Sequence, residues 1–277
     1  MIEQDSRVWF ITGSTSGFGR ALVDAVRARG ERVVATARRP EALAELEGDE
    51  ALVLQLDVTR EEAIQPALDA ALERFGRIDV LVNNASIGFV GALEEMTLDD
   101  LRRAMETMFF GPAALTQAVL PRMRAQASGT IVQISSQGGR MAGPGVSAYC
   151  AAKFALEGLS EAVAGEVAPF GVRVLIVEPG NFRTGLLGSS LHTATPMEAY
   201  ATTVGVTRSY FASEDGRQLG DPAKAAAAIV AALDADEPPL RLVLGADALE
   251  GIRAKYQELS AELARWENLT RSTAFDS

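Results

Sequence analysis

Tyr149 and Lys153 stand four residues apart in the stretch Ser147-Ala-Tyr-Cys-Ala-Ala-Lys153. Positions i and i+4 share one face of a helix. The stretch reads as a helix start. Ser147 is placed to cap it, alanines fill it, and Leu156, Leu159 and Val163 continue an apolar stripe until Pro169 and Gly171 stop it. A free phenol titrates near pH ~10. A cation a few ångströms away favours the phenolate and lowers that value. Such a pair suits a general acid/base that moves a proton on or off an alcohol oxygen. Taken alone, Y-x-x-x-K fits equally well a tyrosine packed one turn from a solvated lysine. The elements around it decide.

Val8 to Thr12 is a short apolar run, read as a buried strand, and Phe18 to Arg29 has helical spacing and ends at Gly30. Between them lies Thr12-Gly13-Ser14-Thr15-Ser16-Gly17-Phe18-Gly19. In a strand–turn–helix unit, glycines let the backbone approach a pyrophosphate, and the helix N-terminus offers free N–H groups and positive dipole. The spacing is G-x-x-x-G-x-G rather than the familiar G-x-G-x-x-G. Residues 13–19 are assigned to phosphate binding. The second strand, Arg32 to Ala37, ends in Thr36-Ala37-Arg38-Arg39, with no acid to hold a ribose 2′-hydroxyl. Arg38 and Arg39 fit a 2′-phosphate instead, so NADP(H) is favoured over NAD(H).

Further strands are expected at Leu52 to Leu56, ending at Asp57 and Val58, at Ile78 to Val82, leading into Asn83-Asn84-Ala85, and at Thr130 to Ile134, ending in Ser135-Ser136. Val172 to Val177 leads into Glu178-Pro179-Gly180-Asn181-Phe182-Arg183-Thr184, and Leu240 to Leu244 is the seventh strand. Helices are expected at Glu61 to Phe75 and at Leu98 to Arg124, the latter interrupted by Gly111-Pro112, and another opens at Asp221-Pro222. Alternation of strands and helices predicts an α/β fold, a doubly wound parallel seven-stranded sheet in one domain over 1–277. Ligands of such sheets bind at the carboxyl ends of the strands, where Gly13, Asp57, Asn83, Ser136 and Pro179 converge. Residues 185–220 break the pattern and read as a mobile lobe over the site. A helical tail is expected over 247–277, amphipathic from Asp247 to Trp266 and frayed at its end.

The net charge is −11 and no basic cluster occurs, which excludes nucleic acid and anionic membranes as expected partners. The one cysteine, Cys150, cannot form an internal disulfide and suits a reducing, cytoplasmic setting; it is read as a packing residue. The N-terminus does not read as a signal peptide, no apolar run is long enough to cross a bilayer, and no metal site is expected. The single histidine, His192, falls in the lobe and is read as a surface residue.

Together these motifs resemble the classical short-chain dehydrogenase/reductase family over nearly the whole chain. The matches are T-G-x-x-x-G-x-G at 12–19, N-N-A at 83–85, Ser136 thirteen positions before Tyr149, Y-x-x-x-K at 149–153, and P-G followed by Thr184. The resemblance implies that Tyr149 is the acid/base, that Lys153 lowers its pKa and holds the nicotinamide ribose, and that Ser136 orients the substrate oxygen. It assigns Asp57 to the adenine, Asn83 to the adenosine ribose and its surroundings, and Thr184 to the carboxamide. Val58, Ala85, Pro179, Gly180 and Phe182 complete the implied cofactor contacts. It also implies a homodimer or homotetramer built on a four-helix interface. There are two departures from the family pattern. Ser86 replaces the glycine of N-N-A-G, and Met108 stands where the family has a catalytic asparagine. Because Pro112 has no N–H to offer the Met108 carbonyl, the main chain is expected to carry the proton relay there. The expected function is an NADP(H)-dependent interconversion of a ketone or aldehyde and an alcohol; the alternative is a non-catalytic nucleotide sensor on the same fold. Phe89, Val90, Met141, Phe182, Leu186 and Leu187 are expected to line a pocket for a lipophilic substrate.

Overall fold

The computed structural model describes residues 6–275. Its strands are β1 (Val8–Ile11), β2 (Arg32–Ala37), β3 (Ala51–Gln55), β4 (Val80–Asn83), β5 (Gly88–Val90), β6 (Gly129–Ile134), β7 (Val172–Pro179), β8 (Leu191–Thr193) and β9 (Arg241–Leu244). Seven of them form one parallel sheet in the order β3-β2-β1-β4-β6-β7-β9. The helices are α1 (Gly17–Ala28), α2 (Glu61–Phe75), α3 (Leu98–Met105), α4 (Gly111–Gln126), α5 (Ser147–Val167), α6 (Val204–Glu214), α7 (Pro222–Leu233) and α8 (Ala246–Arg271).

The apolar strands are continuous rather than alternating because helices cover both faces of the sheet. Trp9, Ile11, Val33 and Val82 point to one side, against Leu22 and Val26 of α1 and Ile229 of α7. Phe10, Val34, Leu81 and Ile131 point to the other, against Leu68 of α2, Leu115 of α4 and Val163 of α5. Strand order reverses between β1 and β4, which opens the ligand crevice of a doubly wound sheet at their carboxyl ends.

Helix boundaries follow local chemistry. Gly30, at φ +72°, lets the chain turn back after α1. The Asp221 side chain caps α7 by accepting from the Ala223 N–H at 2.8 Å, with Pro222 as first helical residue. Ser147 is not the cap of α5: it is the first helical residue, Val146 precedes it as cap, and the Ser147 hydroxyl is buried without a protein partner. The interruption expected at Gly111-Pro112 lies one turn earlier. Residues Glu106–Phe110 form a widened turn in which the Gly111 N–H reaches back to the Glu106 carbonyl. The turn inserts a residue and lets the helix resume at Gly111 with proline at its start. Two strands were too short to show in the pattern. β5 and β8, three residues each, pair in parallel as a separate small sheet that joins the body to the 185–220 segment. That segment also contains α6. The expected tail is helical through Arg271, and its last two residues lie outside the described ones. Among the described residues, no helix is long and apolar enough to cross a membrane.

Charges clamp β1 to α1 and α7, the elements that frame the glycine turn. Arg7 and Arg29 both pair with Glu31 and with Asp234 at 2.8–3.1 Å, and the Trp9 indole N–H donates to Glu31. Burial alone would push the Glu31 carboxyl up. Hydrogen bonds from Arg7 and Trp9, with the Arg7 charge, outweigh that and hold it below its ordinary value. A depressed carboxyl contributes stability above its unfolded pKa and loses it as pH falls through the folded one. Glu31→Gln is therefore expected to lower Tm at neutral pH, with the gap to the parent closing in acid. Thermal melts across an acid-to-neutral series check this.

Candidate active site

The glycine turn is sewn to its neighbour strand. The Thr12 hydroxyl accepts from the N–H groups of Asn84 and Ala85 at 2.9 and 3.1 Å, and the Asn84 amide donates to the carbonyls of Thr12 and Gly13 at 2.8 and 3.0 Å. The seam leaves no room for side chains. A Cβ on Gly19 would sit 2.3 Å from the Gly13 carbonyl oxygen and 2.5 Å from the Asn84 amide. Gly13 and Gly17 have φ of +67° and +55°, conformations that glycine adopts without strain. Ser14 is fully buried and its hydroxyl serves the Ile11 carbonyl, so only its main chain is left for a phosphate. Thr15 and Ser16 are exposed at the mouth of α1. Asn84, passed over in the sequence, is the residue that shapes the turn; its place in N-N-A was the available signal.

Asn83 turns its side chain into the fold. It is buried, and its amide donates to the Pro112 carbonyl, the Thr116 hydroxyl and the Gln133 side chain at 3.0–3.3 Å. These bonds tie β4 to α4 and β6, while the Asn83 carbonyl oxygen is buried without a partner among the described residues. At the end of β2, Arg38 and Arg39 are exposed, and among the described residues neither forms an ion pair. Asp57, at the end of β3, accepts from the N–H and hydroxyl of Thr59, an arrangement that fixes its turn. Val58 is buried beneath Gly111, where a Cβ would meet the Val58 carbonyl at 2.7 Å.

Beyond β7, the loop 179–184 meets the glycine turn. The rings of Phe18 and Phe182 lie 5.0 Å apart, and a Cβ on Gly17 would be 3.0 Å from that of Thr184. Asp247, at the start of α8, holds the loop by accepting from the Asn181 N–H at 2.7 Å, while Gly180 donates its N–H to the Leu244 carbonyl at 2.9 Å. The structure thus brings Gly17, Phe18, Phe182 and Thr184 together. Asp247 was not visible as a site residue because its partner lies 66 residues away.

Ser136, Tyr149 and Lys153 also come together. Ser136 accepts from the Gly138 N–H at 3.0 Å, which leaves its own proton free to donate. The Lys153 ammonium is buried, lies 5.7 Å from the Tyr149 ring centroid and donates to the Ile134 carbonyl at 2.8 Å. The electrostatics differ from the expectation that lysine lowers the phenol. Burial pushes Tyr149 up to about 12; the Ser136 hydroxyl opposes this and Cys150 adds to it. Burial pushes Lys153 down to about 8, with the Glu157 charge opposing. Desolvation penalises both charged forms and dominates here. Cys150 is buried, and burial also raises its thiol, consistent with a packing role. Met108 is wholly buried among Phe89, Ala148 and Ala152, beside Tyr149.

Phe89 and Val90 are not pocket lining. Both are buried in the small sheet, with the Arg103 guanidinium and the His192 ring over Phe89. Met141 lies under the start of α8, against Gly251, and Phe182 is spent on Phe18. Of the six proposed lining residues, Leu186 and Leu187 remain, both partly exposed. His192 is part-exposed, as read, but pairs with Asp100 at 3.0 Å.

Residues 7–194 match the family model described as short chain dehydrogenase. The chain belongs to that family of oxidoreductases. The oxidoreductase BOA17 of Botryotinia fuckeliana is 39% identical over 273 residues, covering 97% of this chain and 100% of that one. A short-chain dehydrogenase from Streptomyces avermitilis superposes with a TM-score of 0.93 at 50% identity, covering 98% and 100% of the two chains. Another from Burkholderia cenocepacia, solved in complex with NADP, superposes at 0.75 with 26% identity over 94% and 97%.

The 185–220 segment is latched to the body by acids on residues 94–100. Glu95 is covered from solvent, accepts from Arg208 at 2.6 Å and from the Met197 N–H at 2.7 Å, and is held down to about 2, first by the Arg208 hydrogen bond. Glu94 accepts from the Tyr200 hydroxyl at 2.6 Å. Arg208→Met should release α6 with little change in Tm. Limited proteolysis is expected to cut sooner within 185–220, and an unchanged digestion rate would contradict the latch.

Proposed function

We propose that the protein is an NADP(H)-dependent oxidoreductase that interconverts a ketone or aldehyde and an alcohol on a small molecule. One observation carries the reading: a serine hydroxyl, a phenol and a lysine ammonium meet at the carboxyl end of β6, in the crevice the glycine turn borders. The turn fits a dinucleotide. A Cβ on Gly19 would clash, Gly13 and Gly17 hold positive φ, and the mouth of α1 offers main-chain N–H groups. Arg38 and Arg39 supply cations at the ribose end that form no ion pair among the described residues, and Ala37 puts no carboxylate there to repel a 2′-phosphate. A nicotinamide dinucleotide, when bound, supplies or takes the hydride.

The chain's own residues handle the oxygen. Ser136 donates its free proton to the carbonyl oxygen and orients it. Tyr149, protonated across the physiological range, gives its proton as the alkoxide forms. The Lys153 ammonium, anchored on the Ile134 carbonyl, favours the phenolate left behind. Its charge is present below about pH 8 and lost above, so reduction weakens on the alkaline side. A second copy covering α4 and α5, where Phe110 just before α4 and Phe154 on α5 are exposed, belongs to the same proposal.

Tyr149→Phe keeps the ring and deletes the proton. It is expected to cut kcat by roughly 10²–10⁴ while cofactor binding stays near normal. Turnover within about tenfold of the parent, over a panel of ketones with NADPH, would exclude Tyr149 as the acid. The cofactor choice is tested separately. The parent should prefer NADPH, and Ala37→Asp with Arg38→Leu should reverse the preference. Equal kcat/KM with both cofactors in the parent would contradict it.

A further inference from the structure

Buried charges stand behind Lys153 that the proposed reaction does not use. One turn along α5, Glu157 is 5% exposed. Its Oε2 accepts from Arg241 Nε at 3.1 Å, from the neighbouring β9. Its Oε1 and the Ser135 hydroxyl oxygen are both buried at this corner, each without a well-formed hydrogen bond. Ser135 follows Ile134, whose carbonyl holds the Lys153 ammonium, and precedes Ser136. Gly139 closes this corner. A Cβ there would lie 2.7 Å from the Ser135 hydroxyl, 2.9 Å from Glu157 Cγ and 3.2 Å from the Lys153 carbonyl oxygen.

The other groups facing this corner are accounted for. Glu178 of β7, 1% exposed, accepts from Arg140 at 2.6 Å and lies 3.3 Å from Arg241. Arg241 also reaches the exposed Glu161 at 2.7 Å. Tyr149 and Cys150, on α5 itself, are neutral near pH 7. So Arg140 and Arg241 serve Glu178 and one oxygen of Glu157. A buried carboxylate is costly unless its charge is met. The remaining cation in the corner is Lys153, four residues back on the same helix, the spacing at which opposite charges support each other.

We propose that Glu157 is a positioning residue that keeps Lys153 in its ammonium form, acting across one turn of α5 while Arg241 keeps Glu157 ionised. The proposal rests on the reading of Tyr149 and Lys153 given above. The Glu157 charge opposes the downward push of burial on Lys153. Burial pushes the Glu157 carboxyl up, with Glu178 adding to this and Ser135 and Arg241 opposing it. Removing the carboxylate leaves burial unopposed, so Lys153 must lose its proton at lower pH.

The chain has three lysines, Lys153, Lys224 and Lys255, so ¹³Cε-lysine labelling gives a simple NMR titration of the cofactor-free protein. In Glu157→Gln the Lys153 midpoint should fall by about one pH unit or more, as expected for losing an opposite charge one helical turn away in a buried site. Lys224 and Lys255 should not move. The alkaline limb of kcat/KM should shift the same way. Glu161→Gln, which takes only the exposed partner from Arg241, should leave both readings alone. A merely structural Glu157 would lower Tm without moving either. A folded Glu157→Gln with an unshifted Lys153 midpoint overturns the proposal. If that variant does not fold, Glu157→Asp, which keeps the charge but withdraws it, should give a smaller shift in the same direction, and no shift overturns the proposal equally. Tyr149→Phe, run alongside, separates the outcomes. Retained turnover there sinks the catalytic reading, whereas lost turnover with an unmoved lysine sinks this inference alone.

Discussion

Burying an ammonium at the end of a parallel sheet sets the terms for the rest of the site. Among the described residues, Lys153 has a single protein acceptor at its head, the Ile134 carbonyl at 2.8 Å. That carbonyl is free because β6 ends there: the chain leaves the ladder at Ser135 and Ser136 and turns through Gln137–Gly139. A strand end is where a sheet has main-chain groups to spare, and a helix running back past it can spend a long side chain on one of them. Once Lys153 is fixed there, Tyr149 is fixed one turn nearer the crevice. Ser136, two residues past Ile134, is brought against the phenol.

The same economy explains the cofactor side. The glycine turn is held by Thr12 and Asn84, which use their hydrogen bonds on each other's main chain. Every bond made inside the seam is one that a ligand need not make. What the turn presents outward is the mouth of α1. The loop after β7 is pinned likewise, by Asp247 from the far end of the chain. Both sides of the crevice are therefore held by bonds within the chain, the kind of pre-set geometry that positions reacting atoms.

Much of this was legible in the sequence. The seven long strands, the glycine turn, the proline-started α7 and the 149–153 pair follow from period, caps and spacing, all local properties. What escaped reading depends on distant partners. β5 and β8 are three residues each and pair across about a hundred positions, below the length at which alternation registers. The inward bonds of the Asn83 amide run to Thr116 and Gln133, residues that only the fold brings near. Phe89 and Val90 were placed in a pocket because an apolar residue reads the same whether it faces a ligand or a core. The widened turn at Glu106–Phe110 is invisible to a search for proline and glycine, since it precedes both.

The two perturbed groups share one cause. Tyr149 is shifted up and Lys153 down by the same cause, loss of water around each. A phenol near 12 is a reluctant acid, and an ammonium near 8 is a willing one. Left alone, this pair would hold its proton on the tyrosine and shed one from the lysine as pH rises. The function proposed needs the first and is damaged by the second. Burial that excludes water from the reacting oxygen therefore threatens the charge that makes the tyrosine useful. A carboxylate one turn behind the lysine, with an arginine on its far side, counters that loss without exposing the phenol to water. Its position matters as much as its charge. Placed on the crevice side, it would raise the phenol further by repelling the phenolate. Placed behind the lysine, it acts on the ammonium first and reaches the phenol only across it.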